Sequence, residues 1–315
     1  MTGISQDDII KPYPKGGTAM EIRVLRYFLT IAREGSITSA AEQLHITQPT
    51  LSRQIKDLED ELGQKLFHRS SHSMKLTQEG FIFRKRAEEI VAMVDKTSAE
   101  FLSMDKPIAG DIYIGGGETL AVSLIADLIS KLRTEYPDIR YHLYSGNEAD
   151  VTERLDRGLL DFGILVQPAN VTKYDYIHLP AEDIWGVVMR KDSPLAKKKA
   201  IAKADIIDLP LIFSRQVLNT KSENNAFIQW FGDDFDKLNI VTTFNLMYNA
   251  ALMVKSGVGY AVGIDGITNT SDESELCFRP LVPKMISGLD LIWKKYQAFS
   301  PAAELFLEKL QDAFG

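Results

Sequence analysis

Residues 36–80 read SITSAAEQLHITQPTLSRQIKDLEDELGQKLFHRSSHSMKLTQEG, and their spacing decides the fold of the N-terminal part of the chain. Ala40, Ala41 and Leu44 form the inward face of a short helix, with Ser36 as its cap. His45-Ile46-Thr47 is a tight connection. Thr47 stands at the N-cap of the next helix, and Pro49 lies in its first turn, where a missing N–H costs nothing. Leu51, Ile55, Leu58 and Leu62 follow at steps of four, three and four, so one face is buried. Gln48, Thr50, Ser52, Arg53 and Lys56 lie on the exposed side near its start, and Gly63 ends it. Two helices joined by a short turn, the second opening on polar and basic side chains, make a helix-turn-helix. Residues 64–76 predict two short strands around Arg69–His72. This is a wing: Leu66, Phe67 and Leu76 return to the core, while Arg69 and His72 point outward.

Working outward, residues 22–34 carry a helical stripe of Val24, Leu25, Phe28, Leu29, Ile31 and Ala32, ended by Gly35. Residues 1–19 hold Pro12, Pro14, Gly16 and Gly17 and read as a disordered extension, with Met20 an alternative start. The extension has neither the basic start nor the apolar stretch of a secretory signal. On the other side, Phe83, Ala87, Ile90, Val94, Thr97, Phe101 and Met104 alternate steps of four and three along one long helix. Such a heptad seam predicts pairing with a second copy; packing on its own domain is the alternative. Lys106–Gly110 breaks that helix.

Beyond it, strands and helices alternate. The pattern predicts strands at 111–116, 139–145, 161–166, 183–190, 211–214, 240–244, 259–264 and 289–295. It predicts helices at 119–135, 148–157, 222–231, 246–256 and 301–313. Alternation of this kind implies open parallel sheets covered on both faces, with ligands outside the carboxyl ends of the strands.

Composition narrows the function. The net charge of −7 gives no global field for nucleic acid, so any affinity for it must be local. The single cysteine, Cys277, forms no disulfide within the chain and fits a reducing compartment, hence a cytoplasmic location. No apolar run approaches the ~18 residues of a membrane span.

The run from Ser36 to Gly80 resembles the LysR-type transcriptional regulators. The resemblance rests on Ala40-Ala41, Gln48-Pro49, Ser52-Arg53-Gln54-Ile55, Leu58-Glu59, Glu61-Leu62-Gly63, Leu66-Phe67, Arg69, and Leu76-Thr77 to Gly80. It continues at Gly110-Asp111-Ile112-Tyr113-Ile114-Gly115, Tyr136-Pro137, Gly158, Leu160-Asp161-Phe162-Gly163-Ile164 and Val254–Gly259, and so spans residues 20–315. It implies an α/β multidomain protein. A winged helix-turn-helix would occupy 20–77, a dimerising linker helix 78–106, and an effector domain 107–315 resembling periplasmic binding proteins. That domain would divide into subdomain I (107–181 and 283–315) and subdomain II (182–282). The resemblance also implies promoter DNA as partner, a small-molecule effector, and a homodimer assembling into a homotetramer. It leaves room for contact with RNA polymerase.

Base reading needs paired donors and acceptors. Gln48 suits adenine and Arg53 guanine, while Pro49 and the methyl of Thr50 suit thymine methyls. Ser36, Ser52, Lys56, Arg69 and His72 are placed for phosphates or the minor groove. Residues 50–76 are barely basic, because Asp57, Glu59, Asp60 and Glu61 oppose the cations there. Three of these acids cluster at the C-terminal end of the recognition helix, away from the groove.

The expected effector pocket gathers the strand-end loops: Glu118 and Thr119, then Ser145, Gly146 and Asn147, then Val166 and Gln167. Ser214, Arg215, Asn245 and Leu246 complete it from the other subdomain. Free N–H groups at helix starts would bind carboxylates or phosphates, with Arg215 adding a cation. Glu118 departs from that picture and points to an amine or a hydroxyl.

The sequence has no HExxH, GxSxG or P-loop, so no enzyme is expected. Gly115-Gly116-Gly117 fails the dinucleotide fingerprint because its sixth position is Leu120. His68 and His72 have the spacing of metal ligands but lack further partners, so neither metal nor cofactor is expected. Two other functions remain in view: a solute-binding protein, which predicts an export signal and no helix-turn-helix, and an enzyme on the same two-lobed scaffold.

Overall fold

Gly35 adopts φ +64° and donates its N–H to Ile31 O, which stops the first helix and turns the chain. The computed structural model describes residues 20–69, 73–103, 108–219 and 225–315. The chain divides into two units, Met1–Ser98 and Ala99–Gly315.

The first unit holds α1 (Ile22–Glu34), α2 (Ile37–Gln43), α3 (Gln48–Leu62), β1 (Phe67–Arg69), β2 (Met74–Leu76) and most of α4 (Gln78–Ser103). Ser36 caps α2 by accepting from Ser39 N. His45 closes the α2–α3 turn at φ +54°, the left-handed region that a β-carbon disfavours. Phe28, Leu25, Ile31, Leu51, Ile55 and Leu66 are fully buried and form the core. The β1–β2 hairpin pairs Phe67 with Leu76 and is tied to the end of α1 by Met74 N donating to Gly35 O. Gly80, in the first turn of α4, has no room for a side chain, since a β-carbon there would lie 2.1 Å from Leu66 O.

Part of the expected seam on α4 serves its own domain. Ala87 is buried in the first unit's core, and Phe83 packs edge-on against Phe28 at 4.9 Å. Val91, which lies off the heptad, joins them one turn later, and Arg26 pairs with Asp95. Among the described residues of α4, Phe81, Ile82, Ile90 and Phe101 are exposed; Met104 lies outside the described residues. A helix whose first turns are packed against a core can offer a partner only its remaining faces.

The second unit is one sheet path in the order β4 (Ile139–Ser145), β3 (Gly110–Gly116), β5 (Phe162–Val166), β12 (Ile286–Lys294), β6 (Tyr174–Arg190), β10 (Tyr260–Ile264), β8 (Leu211–Ser214), β9 (Ile240–Phe244). The expected parallel pairing holds for β3 with β4 and β5, and for β8 with β9 and β10. β6 and β12 run antiparallel, so the sheets are mixed. β6 is longer than the expected 183–190. Its first half pairs with β12 and its second with β10 and β11 (Leu276–Val282), carrying the chain from one lobe to the other. Pro180 hid that continuity; it stands opposite a register shift at Gly288/Leu289, where the ladder needs no N–H.

Helices α5 (Val122–Glu135), α6 (Glu148–Asp156) and α11 (Pro301–Phe314) belong to the first lobe. Phe306 of α11 is fully buried against Phe162 of β5. The second lobe carries α7 (Lys203–Ile206), α8 (Arg215–Asn219), α9 (Ala226–Phe231) and α10 (Met247–Lys255), with Phe213, Phe227 and Phe231 in its core. The short strand β7 (Ile201–Ala202) pairs with β11. α5 begins at Val122 rather than 119, after a turn through Leu120 and Ala121. No described helix is long and apolar enough to cross a membrane.

Candidate functional site

α3 buries Leu51, Ile55 and Leu58 and turns its opposite face to solvent. Gln48, Pro49, Thr50, Arg53 and Lys56 are exposed there, and Ser52 is half-buried. Thr47 is extended at the N-cap, but its side chain caps no amide and instead shares a 2.8 Å bond with Thr50 Oγ1. Among the described residues no side chain caps the first-turn amides of α3, at the positive end of the helix dipole. Arg53 stands 3.8 Å from Asp57 with its side chain 82% exposed, a loose surface pair that a phosphate or a base can replace. Ser36 is half-buried, and its Oγ accepts at the α2 cap, which leaves its O–H to donate. His72 lies outside the described residues, as does the side chain of Arg69; the backbone of Arg69 closes β1.

Glu59 has a different place from its acidic neighbours. Its side chain is fully buried, and Oε1 accepts from Leu66 N (2.9 Å) and Phe67 N (3.2 Å) while Oε2 takes Lys65 Nζ (3.2 Å). It fastens the end of the exposed helix to the start of the wing. The sequence signal for this was absent, because Asp57, Glu59, Asp60 and Glu61 form a single acidic run.

In the second unit a cavity of about 150 Å³ opens between the lobes. From the first lobe its wall takes the expected Glu118, Gly146, Asn147, Val166 and Gln167. From the second it takes Ser214 and Asn245. Four expected residues are not in the wall. Thr119 is buried and donates its hydroxyl to Asp183 Oδ1 at 2.8 Å. Ser145 is exposed at the end of edge strand β4, and Arg215 is exposed at the start of α8, so no cation comes from it. Leu246 sits one residue before the true wall residue, Met247.

Three helix starts at this cavity, those of α6, α9 and α10, are engaged by the protein's own side chains. Asn147 caps α6 by accepting from Asp150 N at 3.0 Å. Asn225 caps α9 by accepting from Phe227 N and Ile228 N. The carboxylate of Glu118 crosses the cavity to the first amide of α10, Met247 N. At these three helices the amides named are taken by the protein rather than left for an anion. A second link crosses the lobes: Gln216 Nε2 donates to Glu148 Oε2 (3.0 Å), and Glu148 N donates to Gln216 Oε1 (3.2 Å). Trp185 and Ser287, on the two crossover strands, also line the cavity and are joined by a 2.9 Å bond. Local sequence carried no signal for either.

Asp183 stands beside them on β6, 3% exposed. Its Oδ2 has no hydrogen-bond partner among the described residues. Burial pushes its carboxyl above the ordinary aspartate range, and the bond from Thr119 offsets only part of this. A raised folded-state value means that stability is fully present below the unfolded value near ~3.9 and is lost as pH rises through the folded one. Asp183→Asn keeps the Thr119 bond and removes the titration. Its melting temperature, compared with the wild type by Trp fluorescence, is expected to gain steadily as pH is raised from 4 to 7. A difference that stays constant with pH would refute this.

Two family models cover these two regions. Residues 22–81 match the bacterial regulatory helix-turn-helix protein, lysR family, and residues 106–315 match the LysR substrate binding domain. The chain belongs to the LysR family of transcription regulators. It is a DNA-binding regulator with a substrate-binding domain, not an enzyme. Among its relatives, the Hca operon transcriptional activator HcaR of Escherichia coli (strain K12) is 30% identical over 296 residues, 93% of this chain and 98% of that protein. The regulator BsdA of Bacillus subtilis (strain 168) is 34% identical over 224 residues, 70% of this chain and 74% of that one. The crystal structure of CbnR, a LysR family transcriptional regulator, shares the fold with a TM-score of 0.72 at 19% identity, over 94% of this chain and 100% of that one. Full-length CbnR complexed with its target DNA gives 0.70 at 20% identity, over 93% and 100%. Seen as a LysR domain, the second unit has its cavity where the crossovers β6 and β12 meet the strand-end loops.

Proposed function

We propose that this LysR regulator reads promoter DNA with α3 and that a small molecule in the inter-lobe cavity controls the outcome. The observation that carries the first part is the uncapped, solvent-facing start of α3, where Gln48, Pro49, Thr50, Ser52, Arg53 and Lys56 stand together. In this reading Gln48 and Arg53 address base edges, and Ser36, Ser52, Lys56, Arg69 and His72 address phosphates or the minor groove. Pro49 and Thr50 contact thymine methyls.

Two copies are joined along α4, through Ile90 and Phe101 rather than through the whole seam, and pairs of dimers form a tetramer. A symmetric dimer compensates for the modest basic charge of each wing and helix by placing two of them on one site. Contact with RNA polymerase and a cytoplasmic location belong to the same reading.

The cavity is formed by both lobes, so a ligand can bind their closed arrangement better than another arrangement, which is the condition for a switch. Gel shift with the DNA flanking its own gene tests the first part. Wild-type protein is expected to bind, and Arg53→Ala to bind about 5- to 150-fold more weakly, the equivalent of about 1–3 kcal/mol. Equal affinity of the two proteins would remove Arg53 from the interface. Native mass spectrometry after exposure to cell metabolites tests the second part by showing which molecule stays bound.

A further inference from the structure

We infer that the cavity takes a small amine with a one-ring or similarly sized apolar body, its ammonium held by Glu118, Ser214 and Asn245. The inference rests on the reading of the cavity as the effector site and names the ligand class for it. Its first support is charge. The described wall residues include two carboxylates, Glu118 and Glu148, and no Lys, Arg or His. An anion placed there would meet like charge in a partly desolvated site with no cation to offset it. The usual remedy, a helix start with open amides, is reduced at α6, α9 and α10, where Asn147, Asn225 and Glu118 each accept from first-turn amides.

The second support is the hydrogen-bonding capacity left over. Glu148 is committed to Gln216 and to Asn170 N. Ser287 accepts from Trp185, and Gln167 donates to Asp290. The side chains of Ser214 and Asn245 have no partner among the described residues, and Glu118 bonds Met247 N through only one oxygen, Oε2. These groups offer three oxygen acceptors, one of them charged, alongside the Ser214 O–H and the Asn245 NH2 as donors. An alkylammonium carries three N–H donors and no acceptor, so it matches the three acceptors, and the charge on Glu118 favours it over a neutral donor. The third support is the rest of the wall: Trp185, Phe227, Phe244, Ile164 and Ile264 are apolar or aromatic. A cavity of about 150 Å³ accepts a benzene-sized ring, and aromatic faces favour a nearby cation.

Because Glu118 comes from one lobe and Ser214 and Asn245 from the other, a bound ammonium ties the lobes together. It does so at the carboxylate that already bridges them.

The test is isothermal titration of the full chain with three probes: phenethylamine, phenylacetate and 2-phenylethanol. Phenethylamine is expected to bind, 2-phenylethanol to bind more weakly, and phenylacetate not to bind at millimolar concentration. Glu118→Gln keeps an acceptor for Met247 N, so the fold is held, yet it should weaken phenethylamine by about tenfold or more. Asn245→Ala should weaken it further. Phenylacetate binding as well as phenethylamine overturns the inference, as does the absence of binding by any probe or an amine affinity indifferent to Glu118→Gln. If phenylacetate binds and Trp185→Ala abolishes that binding, the cavity remains a ligand site and only the amine class falls. If phenethylamine binds through Glu118 but leaves gel shifts unchanged, the amine site stands and control of DNA binding from this cavity falls.

Discussion

Glu59→Ala is expected to destabilise the DNA-binding unit by about 3–5 kcal/mol and to abolish DNA binding at ordinary protein concentrations. Leu66 N and Phe67 N are buried and depend on Glu59 Oε1. Each buried donor left without a partner costs about 1–3 kcal/mol, and bonds to a charged acceptor lie at the strong end. A small domain has about 5–15 kcal/mol in all, so the loss brings it near the edge of folding. The wing start would detach from α3 first, because both of its buried amides and Lys65 bond to α3 through Glu59. All three tryptophans, Trp185, Trp230 and Trp293, lie in the second unit. Urea unfolding followed by circular dichroism reports both units, whereas tryptophan fluorescence reports only the second. The variant should show an early transition by circular dichroism and an unchanged fluorescence transition. Glu61→Ala, a change at an exposed acid in the same run, should stay within about 0.5 kcal/mol of wild type. Equal curves for the two variants would show that Glu59 is not the fastener described.

Phe28→Ala should cost the same unit about 3–5 kcal/mol. Phe28 is fully buried, with the ring of Phe67 at 5.1 Å and that of Phe83 at 4.9 Å. It is the point where α1, the wing and the start of α4 share one aromatic cluster. Truncation removes the transfer free energy of the ring and leaves a cavity that three elements line from different directions, so collapse is incomplete. Phe28→Leu fills most of that volume and should recover the larger part of the loss. The same pair of probes separates the units, and the fluorescence transition should again not move. A Phe28→Ala protein as stable as Phe28→Leu would mean that the aromatic cluster contributes little beyond filling space.

Much of the first unit was legible in the residues. The steps Leu51, Ile55 and Leu58 predicted which face of α3 is buried, although Leu62, the last of the series, is exposed, and Gly35, Ser36 and Gly63 predicted limits of α1, α2 and α3, because these signals act within a turn or two of helix. The seam on α4 was legible as a pattern but not as a partner. Phe83 and Ala87 fit a heptad equally well whether they face a second copy or Phe28. The strand ends around the cavity were also found, and the misses there were mostly of one residue, as with Leu246 for Met247 and Arg215 for Gln216. Trp185, Ser287 and the first half of β6 were not legible, since crossover strands take their register from distant partners.

The motifs between Ser36 and Gly80 carried the family resemblance, while periodicity and capping, which need only near neighbours, were enough to give the helix that faces solvent and the residues on it. The tertiary structure alone decided what the charged groups do. It turned Glu59 from a surface acid into a buried fastener, and it brought Glu118 to an amide 129 positions away. The physical reason is that a charge costs little in water whatever its neighbours, whereas in a closed interior it must find a specific partner, and that partner is set by the approach of distant segments.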